Sequence, residues 1–242
     1  MCELQNIDDI YSIENNTKIA SGVNLFNMMV KNAFIKFGIM MNFLQWKSLF
    51  CRIKYNIGGD ILNLDKLEHG VLTANSIVPG YLSEKMPLAK LSGLWWLVVS
   101  KVDPCIHYAF ELNWVSKIPP VGTFIARGID EELRTTSVSY WYDDDNFMVD
   151  DKRRVFFLPA ILDCYCIDFH KEKTSMFGSY FRGEKKESLK RMLENNFLIR
   201  YFYRTYQWKM NASKSRKFNN SYISEEKASV RAFLSMTSSV SD

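Results

Sequence analysis

The stretch RRVFFLPAILDCYCIDF, residues 153–169, decides the predicted fold. Aromatic and β-branched residues dominate it, and such residues are enriched in strands. Short spacers with turn signals separate it from similar segments, which favours antiparallel hairpins over crossover connections. The sequence therefore predicts one mainly antiparallel sheet of about five or six strands over residues 93–182. The other segments are GLWWLVVSKV (93–102), CIHYAFELNWV (105–115), GTFIARGI (122–129), LRTTSVSYWY (133–142) and SMFGSYFRG (175–183).

Two predicted helices flank this sheet, so we expect an α+β fold. Residues 18–50 carry apolar side chains at three- and four-residue steps, which is the period of a helix. The most apolar part, residues 22–46, leaves only a narrow polar stripe and needs cover on most sides. It is either a central core helix, the interpretation we favour, or a helix that packs into another protein. The stripe contains Asn24, Asn27, Lys31, Gly38, Asn42 and Gln45.

One domain accounts for the predicted elements, because a chain of 242 residues can bury one sizeable core. After the Gly58-Gly59 pair, Asp60 is predicted to cap a short helical turn that stops at Gly70. A basic C-terminal helix is predicted over residues 184–209. The predicted parts are a polar tail (1–17), a helical N-terminal part (18–90), an α+β core with the basic helix (91–209), and a linker, short helix and tail (210–242).

The composition is that of a globular protein in a reducing compartment. Apolar residues make up 47% of the chain and charged residues 24%, which are ordinary values. Residues 1–16 are acidic and polar, unlike a secretory signal. The cysteines are odd in number and scattered, which is not typical of a disulfide framework. The sequence therefore predicts a cytoplasmic protein. The cysteines are Cys2, Cys51, Cys105, Cys164 and Cys166.

Residues 22–46 are long enough to span a bilayer, but their charges disfavour a transmembrane helix. They contain Lys31 and Lys36. Each lysine at the centre of a bilayer costs about 2.5–3.5 kcal/mol to insert. A helix buried in a protein core or facing a protein partner is the better interpretation.

A change of charge near residue 170 is the strongest indication of function. Residues 171–217 hold thirteen lysines and arginines against four acidic residues, a net charge of +9. Residues 1–170 hold sixteen against twenty, a net charge of −4. The basic stretch also contains nine aromatic residues. Cations mixed with rings can hold a phosphate backbone and stack bases, or contact an anionic membrane or an acidic protein. The candidate partners are therefore DNA, RNA, a membrane surface and another protein.

A helical wheel gives the predicted helix 184–209 a basic face and, on the opposite side, a core face with Met192, Ile199, Phe202 and Tyr206. A purely solvated face has little use for aromatic rings, so the basic face is the predicted binding surface. Three plainer interpretations stay open: the rings cover more core, the Asn195-Asn196 pair breaks the helix, or the basic face docks on the acidic run 143–151. The predicted surface consists of Lys186, Lys190, Arg200 and Arg204 with Phe197, Tyr201 and Trp208.

Two pairs of residues form the best candidate for a metal site. Cys105 and His107 are two residues apart, as are Cys164 and Cys166, and alternate residues of a strand share a face. On neighbouring strands these four side chains could form a tetrahedral zinc site, and a cysteine–histidine dyad would suit acyl transfer. Buried free cysteines more commonly act as small apolar residues. We therefore predict no metal and no cofactor.

A metal-dependent nuclease is a further enzyme class that the sequence partly fits. Such a site needs an acidic residue, then an acid-x-lysine pair on a following strand, to hold a divalent ion and activate water. Asp150 or Asp151 could supply the first acid, and Asp163 and Asp168 lie on the next predicted strand. His170 stands where the lysine is needed, so the match is incomplete.

The chain contains no phosphate-binding loop, dinucleotide fingerprint, nucleophile elbow or HExxH motif. The sequence therefore favours a non-enzymatic binding or assembly protein, an accessory component of a larger complex. Its contact surface would be the apolar helix 22–46 or the basic C-terminal helix. The alternative is a small metal-dependent nuclease or effector enzyme. Its site would be drawn from His107, Asp163, Cys164, Cys166, Asp168 and His170.

Overall fold

A computed structural model shows an α+β fold with small sheets. The α+β class is confirmed, but the strands form a two-stranded and a three-stranded sheet, so the prediction of one sheet of five or six strands is wrong. The C-terminal linker, short helix and tail predicted over 210–242 lie outside the described residues. The structure describes residues 13–38, 43–57, 59–75, 93–110, 123–159, 161–169, 181, 183–194 and 200–203.

The N-terminal helical segment forms two helices, α1 (Asn15–Phe37) and α2 (Phe43–Arg52). Gly38 ends α1 with a left-handed φ of 83°, and its N–H donates to the carbonyl oxygen of Phe34 at 3.0 Å. Glycine adopts this conformation without the steric penalty of a Cβ. The prediction of one continuous helix over residues 18–50 was wrong. Gly38 fits the periodic polar stripe, so the sequence pattern does not reveal that the helix ends there.

The α1 helix is the central core helix, as its pattern predicts. Val23, Phe26, Met29 and Val30 are fully buried. Burying each of these side chains stabilises the fold by about 1.5–3 kcal/mol. None of the helices in the described part of the chain is both long and apolar enough to cross a membrane. A contact between another protein and this helix stays a prediction.

The asparagines of the polar stripe have structural partners. The Asn24 side chain donates to the carbonyl oxygen of Phe124 at 2.8 Å and accepts from the N–H of the same residue at 2.9 Å. Asn27 donates to the carbonyl oxygen of Ala109 at 3.0 Å. These bonds satisfy backbone groups of Phe124 and Ala109, which do not belong to a described sheet. The stripe therefore connects α1 to the segments that pack on it.

A β-hairpin follows α2, where a helical turn was predicted. Strands β1 (Lys54–Ile57) and β2 (Asp60–Asn63) pair antiparallel, and two residues join them. Asp60 thus lies in a strand and does not cap a helix. Two glycines between short strands are a common hairpin connection, and Gly59 has a φ of 92°. Gly70 is not a stop either, because it is buried within a π-helix at Lys66–Leu72.

Several segments that were predicted as strands are helical. They form α3 (Ile106–Ala109), α4 (Ile129–Tyr142), α5 (Ile161–Cys164) and α6 (Cys166–Phe169), with 3₁₀ turns at Trp95–Leu97 and Ala126–Gly128. The predicted strand at 175–183 lies almost entirely outside the described residues.

The α4 helix shows why the strand predictions failed. Its buried positions Ile129, Leu133, Ser137 and Trp141 recur every four residues, which is a helical period. The first turn is rich in acidic residues, which stabilise the amino end of a helix dipole. The predicted strand began only at Leu133, so it omitted this turn.

The three-stranded sheet lies in the C-terminal half of the chain. Strands β3 (Met148–Asp150), β4 (Val155–Leu158) and β5 (Arg200–Tyr203) occur in that order, β3 antiparallel and β5 parallel to β4. Helix α7 (Gly183–Glu194) precedes β5. The predicted helix 184–209 is therefore wrong at Arg200–Tyr203, and residues 195–199 and 204–209 lie outside the described residues. The aromatic sequence of β5 favours a strand, and the asparagine pair 195–196 follows the helix.

Two hydrophobic clusters form the core. The first surrounds α1 and includes residues of the β1–β2 hairpin and the π-helix. The second contains Trp141, Phe147, Phe156 and Phe181 and includes apolar residues of α7. Because Phe156 lies on one face of β4, that face of the three-stranded sheet packs inward and the opposite face points away from this cluster.

Candidate functional site

The outer face of the three-stranded sheet exposes a row of apolar side chains. Met148, Phe157 and Phe202 occupy matching positions on β3, β4 and β5. Met148 is 37% exposed, Phe202 is 50% exposed and Phe157 is partly buried. The rings of Phe157 and Phe202 stack with centroids 6.1 Å apart and planes at 27°. We call these three residues the outer row.

One end of the sheet beside the outer row is basic. The turn from β3 to β4 contains Lys152, Arg153 and Arg154, all exposed. The turn ends directly before Val155 of β4. Together with Arg191 of α7, this end has four cations against Asp150 and Asp151, a net charge of +2. We call these six residues the basic end.

Both acidic residues of the basic end have a cationic partner. Arg153 Nε lies 3.7 Å from Asp150 Oδ2, and Arg191 donates to Asp151 Oδ2 at 2.9 Å. These partly exposed pairs contribute little stability. They do neutralise the local acidic charge, so the remaining potential of this end is positive.

The predicted basic face of α7 is a surface of mixed charge. Lys186 and Lys190 are exposed, as predicted, but Glu184, Glu187 and Glu194 share the exposed side of the helix. Lys190 Nζ lies 3.8 Å from Glu194 Oε1, one turn away. The two lysines therefore do not form a strongly positive surface by themselves.

The α7 helix also docks on the acidic run of the same chain, one of the alternatives that the sequence left open. Lys185 Nζ lies 2.8 Å from Asp144 Oδ1. It donates to the carbonyl oxygens of Tyr142 and Phe147 at 2.7 and 3.1 Å. Lys185 thus binds the carboxyl end of α4, where a cation is favourable. The docking residues are Lys185 and Arg191, not the predicted Lys186 and Lys190.

The other members of the predicted surface do not share a helical face. Arg200 and Tyr201 lie on strand β5 and not on a helix. Phe197, Arg204 and Trp208 lie outside the described residues. A role of these residues in binding stays a prediction, but the common helix that was its basis is wrong.

A buried polar network connects the two halves of the fold. His107 Nε2 of α3 lies 2.9 Å from Asp168 Oδ2 of α6. The His107 ring stacks on Tyr165 with centroids 3.8 Å apart. The Tyr165 hydroxyl donates to Glu68 Oε1 of the π-helix. His107 and Glu68 are buried and Asp168 is nearly so, so three elements bring polar groups together inside the core.

The segment that contributes Glu68 has unusual backbone geometry. A π-helix of seven residues is rare, and such helices are frequent at functional sites. It is followed by Ala74 and Asn75, both with left-handed φ values of 50° and 57°. The described residues give Glu68 Oε2 no hydrogen-bond partner, and His69 Nε2 lies 4.0 Å from it. Strain and an uncompensated polar atom therefore coincide here.

The strand spacing behind the candidate metal site, which the sequence did not favour, is absent. Cys105 and His107 lie at the start of α3, and Cys164 and Cys166 lie in α5 and α6, so the premise of two strands is wrong. Among the side chains that the structure describes, no group of three or more His, Cys, Asp or Glu residues is placed to hold a metal ion. The side chains of Asp163, Cys164 and Cys166, and His170 as a whole, lie outside that description.

Sequence reasoning found some members of these sites and missed others. His107 and Asp168 were both candidates for an enzyme site, but their direct pairing was not predicted. Glu68 and Tyr165 were missed because neither belongs to a motif. Phe202 was assigned to a helix core, although the run of four residues Arg-Tyr-Phe-Tyr has the composition of a strand.

Comparison with known proteins gives a family but no function. Residues 10–140 match the family model described as "Protein of unknown function, DUF547". No curated protein and no solved structure matches the chain. The matched residues include Glu68 and His107 and end before the three-stranded sheet begins.

Proposed function

We propose that this chain, which belongs to the DUF547 family, is a non-enzymatic binding or assembly protein that holds a polyanionic partner on its three-stranded sheet. The observation that supports this function is the position of the outer row beside the basic end. Exposed apolar side chains adjacent to a net positive charge suit an acidic macromolecule with apolar parts. Nucleic acids and acidic proteins share this chemistry.

Charge complementarity supports a polyanion over a neutral partner. The chain as a whole has a net charge of +4, and the basic end alone carries +2. Such a local potential raises the rate of association with an acidic partner, and salt weakens the effect. An accessory component of a larger complex would use such a surface to attach to its assembly.

A cytoplasmic location belongs to the same proposal. The five cysteines are odd in number and scattered, which suits a compartment where thiols stay reduced.

The experiment is a binding titration with a generic polyanion, such as heparin, at low and high salt. Lys152→Gln removes one cation of the basic end, and we expect weaker binding and a salt slope reduced by about one unit. The matched control is Lys54→Gln on β1, which makes the same change at an exposed position of the other sheet. Equal effects of both substitutions, or no binding of the wild type at low salt, would contradict the proposal.

A small enzyme is the second candidate function, and the pairing of His107 with Asp168 favours it. A carboxylate that binds one imidazole nitrogen orients the ring, as in many acid–base sites. The metal-dependent form of this candidate has less support, because the described side chains provide no metal group. Glu68 belongs to the same buried polar network through Tyr165. Because polar groups retained for catalysis commonly reduce stability, a rise in stability in Glu68→Gln would support this candidate and a fall would count against it.

A further inference from the structure

We infer that the polyanion is a single-stranded nucleic acid, and that a base stacks on the ring of Phe202. This inference rests on the proposed function and names the partner class. It makes Phe202 the stacking residue and the basic end the phosphate contact. Neither residue set coincides with the helical surface that the sequence predicted.

The geometry of the outer row supports stacking. Phe202 lies on β5, an edge strand of the described sheet, and is half exposed. One face of the Phe202 ring is covered, because Phe157 on β4 stacks against it. Phe157 holds the ring from the neighbouring strand, which lowers the entropy that Phe202 loses on binding a ligand. A flat ligand therefore meets a ring that is already positioned.

The basic end is close enough to bind the phosphates that flank a stacked base. The turn with Lys152, Arg153 and Arg154 ends three residues before Phe157 on the same strand. Three residues along a strand cover about 10 Å, so the cations of the turn lie near the rings. A single-stranded site combines rings for the bases with a positive surface for the backbone.

Single strands fit this surface better than a duplex or an acidic protein. The bases of a duplex are stacked on one another and do not expose their ring faces to a protein side chain. An acidic protein would use the cations of the basic end but gains nothing specific from an aromatic ring at Phe202. The combination of a ring pair and cations therefore favours unpaired bases.

The experiment is an anisotropy titration of the full chain with a labelled oligo(dT) of about fifteen nucleotides, long enough for the usual site sizes. Parallel titrations use a duplex of the same length and polyglutamate, all at low salt. We expect the single strand to bind more tightly than the other two probes. Equal affinity for all three would overturn the inference and leave the proposed function standing, whereas binding of none would refute both.

Substitutions at Phe202 separate stacking from apolar packing. Phe202→Leu keeps the apolar bulk but removes the ring, and we expect oligo(dT) binding to weaken about fivefold or more. Phe202→Trp keeps a ring and should retain binding. The matched control is Trp95→Leu, which removes an exposed ring of a 3₁₀ turn that is not part of the three-stranded sheet, and it should have no effect. Wild-type affinity of Phe202→Leu for oligo(dT), with its circular dichroism unchanged, would exclude stacking.

Discussion

Glu68 is a carboxyl side chain buried in the core, and the described residues give a hydrogen bond to only one of its oxygens. Tyr165 donates to Oε1, whereas the described residues supply no donor to Oε2. A buried carboxylate loses several kcal/mol of hydration, and one hydrogen bond offsets about 1.5–3 kcal/mol. Glu68 therefore reduces stability where it stands, and a residue of this kind is more often kept for function than for folding.

Glu68→Gln is expected to raise the melting temperature. The amide keeps the size of the side chain and an oxygen that can accept from Tyr165, and it cannot carry a buried charge. A gain of about 1 kcal/mol would raise the melting temperature of a chain this long by about 2–4 °C. Differential scanning calorimetry measures the change, with Glu68→Ala as the control that should lower stability by leaving a cavity. A decrease in Glu68→Gln as large as in Glu68→Ala would mean that the carboxyl group is structural.

The helix α1 is the element whose role the sequence predicts best. Its apolar steps place Phe26, Met29 and Val30 in the core, and all three are fully buried. A helical period fixes which side chains face inward once the helix forms, so no knowledge of its neighbours is needed. The end of α1 was harder to predict, because Gly38 stops the helix through its φ angle and not through a break in the pattern.

Two adjacent methionines of α1 provide a matched test of this assignment. Met29 is fully buried and Met28 is 38% exposed. Met29→Ala should lower the free energy of unfolding by about 2–5 kcal/mol, whereas Met28→Ala should change it by about 0.5 kcal/mol or less. Urea unfolding measures both values. Equal losses in the two variants would contradict the assignment of α1 to the core.

The short elements in the middle of the chain could not be predicted from local composition. The segment at 133–142 has the residues of a strand, but tertiary packing and the acidic first turn of α4 give it a helix. The strand propensity of a residue reflects how well its side chain fits the half-buried surface of a sheet, so it depends on the neighbouring side chains. Strand β5 shows the opposite error, because it was predicted as part of a helix. Its partner β4 lies more than forty residues away along the chain. Pairing at that separation leaves no local signal.

At the scale of the whole molecule, the buried polar network joins residues 10–140, which match the family model and are here called the family segment, to the rest of the chain. Glu68 and His107 belong to residues 10–140, whereas Tyr165 and Asp168 follow them. The C-terminal half therefore supplies hydrogen-bond partners to polar groups of the family segment. It also carries the three-stranded sheet with the outer row and the basic end. The proposed binding surface is thus a feature of this chain beyond the matched segment.

Hydrogen exchange with and without a bound polyanion tests the proposed surface most directly. On addition of heparin at low salt, we expect slower exchange in peptides that cover β4 and β5, because the partner lies on that sheet. Peptides of the β1–β2 hairpin provide the internal control and should exchange unchanged. Protection of the hairpin with none at β4 and β5, or no protection anywhere in the presence of saturating heparin, would contradict the account.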